Sequence, residues 1–378
     1  MNAVQNFLAT YPFAQTALEI LALTVPPAFF LAFAGLGLFG AAAQSKGARQ
    51  RRKSFSKCAR QLSMLGMVLG WGLLIGMRIW LYLAPIQQLS MVFEASWLLL
   101  AIATLLASSC FLGAKLLEKA PWLHILLGIL QAVLAYAAFL LGLASAHLAP
   151  LVDSILEALR TGRAPELPPV QDILLPLATP ISYSLLLLLA LPAAFGAFWL
   201  VLRRRHDDYG RDHYNVTLPW CAAWARNVWL ALWLLMLAFN ALNVYDRWQN
   251  GVFTSYDALL QSIPLLLWLI PPLLWAVVSS SKTPLRHKFS LALALLFSIA
   301  YLLPFTLEVA TPIMPDAVLW EWPLQDLAPD TLQETPLPEP DLPQQELPAP
   351  DVPEDGAPEA GQPTAPDTQP AAPQQEKP

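Results

Sequence analysis

Eight stretches of the chain are apolar for long enough to cross a bilayer, which takes about 20 residues. They run approximately Ala14–Ala43, Leu62–Ala84, Phe93–Gly113, Leu123–Leu148, Pro180–Leu202, Pro219–Val244, Leu259–Val277 and Phe289–Val309. Lipid offers the backbone no hydrogen-bond partner, so each stretch is expected to be a helix that satisfies its own amides. The first stretch is too long for a signal peptide core and has no small-residue cleavage site after a short apolar run. It reads as a span. The expected class is an all-α polytopic membrane protein with eight transmembrane helices.

The polar residues between and within these stretches recur. Shifted by 163, Cys58-Ala59 falls on Cys221-Ala222, Tyr82 on Tyr245, and Phe93-Glu94-Ala95 on Tyr256-Asp257-Ala258. Lys119, Pro121 and His124 fall on Lys282, Pro284 and His287, with no gap from Cys58 to about Leu141. A two-residue loop change brings Pro27-Ala28, Phe30 and Ala32-Phe33 onto Pro192-Ala193, Phe195 and Ala197-Phe198. Polar and Pro residues carry this match, not Leu runs, which points to a 4+4 tandem repeat. A four-span unit keeps its direction when duplicated, so the repeat is parallel. The expected organisation is a first membrane repeat over 1–149, an extracytoplasmic connector over 150–179, a second repeat over 180–314, and a tail over 315–378.

Charge orients the spans. The link after the first span carries Lys46, Arg49, Arg51, Arg52, Lys53, Lys57 and Arg60 with no acid. Lys115, Glu118 and Lys119 follow the third span, Arg203-Arg204-Arg205 and Arg211 mixed with Asp207, Asp208 and Asp212 the fifth, and Lys282, Arg286 and Lys288 the seventh. The alternate links are poor in base. The positive-inside rule then makes every odd-numbered link cytoplasmic and places both termini outside. In a bacterium this is a multi-pass protein of the inner membrane.

Composition adds a second kind of material. The chain is 56 % hydrophobic and 13 % charged, values foreign to a soluble domain of this length. The net charge of −5 conceals two parts. From Pro315 to Pro378 there are 16 prolines and 14 acids against the single base Lys377. Such a segment buries too little apolar surface to offset its ordering entropy, and is expected to be extended and disordered. It is either a solvated extension or a tether for an extracytoplasmic protein partner. Its first part, Val318-Leu319-Trp320-Glu321-Trp322-Pro323, suits the membrane surface.

Several function classes find no support. The three cysteines form no Cys-x-x-Cys motif, and no phosphate-binding glycine pattern or Rossmann fingerprint is present. The basic clusters are short caps of helices, so no nucleic-acid partner is indicated. The densest, Lys46 to Arg60, suits topology and lipid headgroup contact.

Ionisable groups inside spans are costly and point to function. Glu19, Arg78, Glu94, Asp257 and Glu308 all fall toward the extracytoplasmic ends of their spans. Together they suit a proton-linked or quinone-binding pocket, in which an acid accepts a quinol proton and the arginine pairs with it. The plain alternative is that each reaches the interface by itself. His124 and His287 are repeat mates at the cytoplasmic starts of their helices. Two imidazoles across a pseudo-twofold axis can ligate a haem b iron; the alternative is two polar residues at helix starts. His206 and His213 sit in a polar loop that reads as a contact surface. Pro26-Pro27, Pro192, Pro264, Pro271-Pro272 and Pro304 fall inside spans, and the matched pair Pro27 and Pro192 is expected to open a cavity near mid-membrane.

Pro26-Pro27 in the first span, the passage from Lys53 to Gly66 into the second, and Phe93-Glu94-Ala95 opening the third resemble the membrane subunits of cytochrome bd-type quinol oxidases. The resemblance covers some 130 residues and puts Glu94 at a place resembling a characteristic acid of the oxidase's first subunit. It departs from the family at the ligands. No histidine precedes Pro26 in the first span, apolar residues around Ile102 replace the second acid of the third, and the fifth span has no histidine. The usual quinol loop is also missing. The double four-helix plan is similar as well to the quinol-binding subunits of polysulfide reductase-type complexes. Three functions follow as expectations: a non-catalytic or quinone-interacting subunit of a respiratory complex, a small-molecule or ion transporter, or a scaffold acting through its tail and loops.

Overall fold

The computed structural model describes residues 12–83, 90–117, 119–162, 170–207, 209–251, 262–303 and 306. Among them all regular structure is helical. The main helices are α1 (Pro12–Gln50), α2 (Lys53–Leu83), α3 (Ser90–Leu112), α4 (Pro121–Thr161), α5 (Val170–Asp207), α6 (Arg211–Gln249), α7 (Ile270–Ser280) and α8 (Lys288–Ala300). Seven helical stretches are long and apolar enough to cross a membrane, the last of them Ser262–Ser280, and Lys288–Ala300 is a shorter apolar helix. This is the architecture of an integral membrane protein.

Several helices outrun their apolar stretches. Residues 150–179 are largely helical, because α4 continues to Thr161 and α5 begins at Val170. Gly162 ends α4 at φ 65, in the left-handed region that a residue with a Cβ enters at a cost. The seventh span is interrupted: residues 268–269 form a turn just before Pro271-Pro272. The two prolines bring no amide hydrogen to the ladder, so the helix bends there.

The helices form two rings. In the first, α1 packs on α2, α2 on α3, α3 on α4, and α4 on α1. In the second, α5 packs on α6, α6 on α7, α7 on α8, and α8 on α5. The rings meet mainly through α1 and α5. These two helices are the most buried of the spans. Over half of the apolar window is buried in each (56 % and 61 %), against 11–39 % in the other five spans.

Small residues set how closely the helices approach. A Cβ on Gly35 would collide with the carbonyl oxygen of Leu188 and the ring of Pro192, so α1 and α5 are in backbone contact there. Pro192 therefore fills the crossing of α1 and α5, where a cavity at the Pro27–Pro192 pair was expected. Gly37 and Gly128 make the same close approach between α1 and α4. Lipid tails are as apolar as the side chains, so this close packing is what holds membrane helices together. At the basic end of the seam, Phe39 of α1 stacks on Trp220 of α6 at 4.7 Å, and Lys46 Nζ lies 4.7 Å from the centre of the Phe55 ring. Cys58 and Cys221 are neighbours across the seam, both fully buried.

Candidate functional site

The basic ends of the first-ring helices enclose a cavity of about 440 Å³. A link of two residues, Arg51 and Arg52, turns the chain from α1 into α2, with Arg51 at φ 51. This turn lays Gln44, late in α1, beside the first turns of α2. Lys53, Ser56, Lys57 and Arg60 are spaced three, one and three residues apart, which puts them on one face of a helix. All four line the cavity. Ala114 and Leu117 come from the single helical turn after α3 and His124 from the first turn of α4. Tyr209 comes from the link between α5 and α6, immediately before Gly210 at φ 82.

Three of the nine lining residues are cations, Lys53, Lys57 and Arg60. Lys57 Nζ lies 4.6 Å from the centre of the Tyr209 ring, and the Arg60 guanidinium 5.9 Å from that of Phe111. His124 is 5 % exposed, with Nε2 3.4 Å from Ser63 Oγ. Beyond it a row of polar groups continues along the ring interior. Gln131 Nε2 donates to the Phe33 carbonyl at 3.1 Å, and Gln131 packs near Gly66. Thr104 donates to the Leu100 carbonyl at 2.8 Å and lies against Gly70. Ser96 donates to the Ala138 carbonyl at 2.8 Å. All three are buried. Each polar group has a partner, as burial in a membrane demands.

A second polar group ties the cavity wall to the other ring. Gln61 of α2 donates to Asp207 Oδ2 at 2.7 Å and meets His213 Nε2 through its Oε1 at 3.0 Å. Asp207 also accepts from Arg203 at 2.8 Å. Tyr209 packs edge-on against His213 at 5.2 Å. His213 is therefore buried between the rings, where the sequence placed it on an open contact surface. The signal was present but ambiguous, since a histidine in a polar loop looks the same whether the loop folds inward or outward.

The residues singled out from sequence part company. Arg78 of α2 and Glu94 of α3 do meet, in a two-pronged ion pair of 2.5 and 2.7 Å. Arg78 also lies 4.1 Å over the Trp97 ring. The pair faces outward: the two side chains are 42 % and 53 % exposed. The side chain of Glu19, and all of Asp257 and Glu308, lie outside the described residues, as does the whole of 315–378. His124 opens α4 of the first ring and His287 precedes α8 of the second, and α4 and α8 share no extended contact. Among the described residues, no three His, Cys, Asp or Glu side chains gather into a metal-binding group. Sequence reading missed the cavity, because its lining comes from five separate segments.

No family model, curated protein or solved structure matches this chain.

Proposed function

We propose that this chain is a multi-pass membrane protein that transports a small polar solute, with its first four-helix unit as the ligand-binding half. The single observation that carries this reading is the cavity of about 440 Å³ among the basic helix ends. Ligand pockets commonly fall between about 300 and 1,000 Å³. The buried polar row from His124 to Ser96 continues from its floor. In this reading the two rings are a parallel 4+4 tandem repeat. Their matching helix order and the meeting of the mates α1 and α5 support it. The positive-inside rule then puts the cavity on the cytoplasmic face of the inner membrane. The acidic segment 315–378 is an extracytoplasmic tether for a protein partner.

Accessibility tests this directly. The three native thiols are buried, so a Ser56→Cys variant carries the signal by itself. A membrane-impermeant maleimide should label it in inside-out vesicles and not in right-side-out cells. Labelling from the outer face only, or none at all, removes the reading.

A second reading rests on a different observation. The Arg78–Glu94 pair is exposed on the helix surface beside Trp97. This favours a quinone-interacting subunit of a redox membrane complex, the role that the cytochrome bd-type resemblance implies. It predicts a quinone in organic extracts of the purified protein, reduced in amount by Arg78→Gln. Equal quinone in the variant and the wild type counts against it.

A further inference from the structure

Three cations line the cavity, and among the described residues no carboxylate does. Lys53, Lys57 and Arg60 occupy two turns of one helix face, where like charges repel. Each is exposed, so water moderates that repulsion without removing it. The ion pairs among the described residues lie elsewhere, at Arg78–Glu94 and Arg203–Asp207. Glu118, the neighbour of Leu117, lies outside the described residues. The positive end of α2 begins at Lys53 and adds to the same field. Neutral donors are close by in the Gln44 amide and the Ser56 hydroxyl.

We propose that this cavity binds a phosphate-bearing organic anion. Lys53, Lys57, Arg60 and Ser56 hold its phosphoryl end, and Leu117 and Tyr209 pack against the remainder. A phosphate monoester offers three free oxygens and more than one charge, whereas a carboxylate offers two oxygens and neutralises one cation of three; a phosphodiester headgroup carries a single charge. Arginine with lysines beside a helix start is a donor set suited to phosphate. The volume exceeds what a bare phosphate fills, hence an organic ester. Two sources share this chemistry: a soluble phosphorylated metabolite and an anionic phospholipid headgroup of the adjacent leaflet. The proposal rests on the reading of the first unit as the ligand-binding half.

The test uses the full chain in two arms. In detergent, the fluorescent ester trinitrophenyl-ATP is titrated onto the protein. In nanodiscs of phosphatidylcholine with added phosphatidylglycerol, retained lipid is counted by native mass spectrometry. The variant is K57Q/R60Q. The control is R49Q/R51Q/R52Q, whose residues are basic, exposed and outside the cavity lining. In one arm the variant should weaken binding about tenfold or more. The control should stay within about twofold. The responding arm names the source. The proposal is overturned if neither arm shows saturable binding, or if the control loses as much as the variant. Labelling of Ser56→Cys separates the two levels. A labelled cysteine without anion binding sinks this inference alone, and an unlabelled one sinks the transport reading beneath it.

Discussion

Under the shift of 163, Gly66 of the first ring corresponds to Trp229 of the second, Gly70 to Trp233, Gln131 to Ala294 and Ala138 to Tyr301. The two rings share a helix order and differ in what fills them. In the second, Trp229 and Trp268 flank Tyr301 at 4.9 and 4.7 Å, and Trp275 donates to Ser298 at 3.4 Å. In the first, Gly66, Gly70 and Ala138 stand for Trp229, Trp233 and Tyr301, Leu105 and Leu112 stand for Trp268 and Trp275, and a cavity opens at the basic end. Aromatic pairs contribute about 0.5–1.5 kcal/mol beyond their packing. An aromatic interior thus favours rigidity, whereas glycines let the first-ring helices approach closely. In the proposed reading, one ring is the buttress and the other the binding unit.

The largest expected effect lies in the buttress. Trp229→Ala should lower stability by about 3–5 kcal/mol, since it empties a fully enclosed site. Its counterpart Gly66→Ala should cost little, because a Cβ there meets neighbours at an ordinary 3.7 Å. Unfolding midpoints in detergent measure both. Equal losses would break the comparison. The seam comes next. Gly35→Val forces α1 from α5 and should cost about 1–3 kcal/mol. It should also separate the two rings in limited proteolysis, whereas retention of the wild-type pattern would mean that they are held elsewhere.

Smaller effects sharpen the contrast between the interiors. Gln131→Leu removes the bond to the Phe33 carbonyl and should cost about 1 kcal/mol. It should also change trinitrophenyl-ATP binding less than K57Q/R60Q does. A larger change would move the ligand deeper into the ring. The smallest effect is expected at Arg78→Gln. Exposed ion pairs contribute little, so the unfolding midpoint should match that of the wild type. A clear drop would mean that the pair is covered in the membrane, by lipid, quinone or a partner.

Much of the fold was legible because a span is a local property. Leu62–Ala84 or Phe93–Gly113 needs only its own apolar length to be recognised. The helix lengths were less legible. Residues 150–161 carry Asp153, Glu157 and Arg160, which look like a connector, yet α4 continues through them. Hydrophobicity does not mark where an amphipathic extension ends. Of the candidate site, the basic face from Lys53 to Arg60 was visible as charge, and His124 as a polar residue at a helix start. That they share one cavity with Tyr209 was not visible. About 150 residues of sequence separate Lys57 from Tyr209, and only the packing of α2 against the second ring brings them together.

The sequence by itself determined the membrane class, the places of seven of the eight expected spans, the basic links and the acidic, proline-rich composition of the tail. It could do so because a bilayer forces each segment to satisfy its own backbone, so length and polarity suffice. Tertiary structure alone decided that α1 and α5 are central, that Arg78 meets Glu94 on an exposed face, and that Gln61 bridges Asp207 and His213. It also decided that three lysine and arginine side chains converge on one cavity. Those outcomes depend on how each helix is rotated and how closely it crosses its neighbour. Small residues such as Gly35, Gly37 and Gly128 set that closeness through contacts between helices distant in sequence.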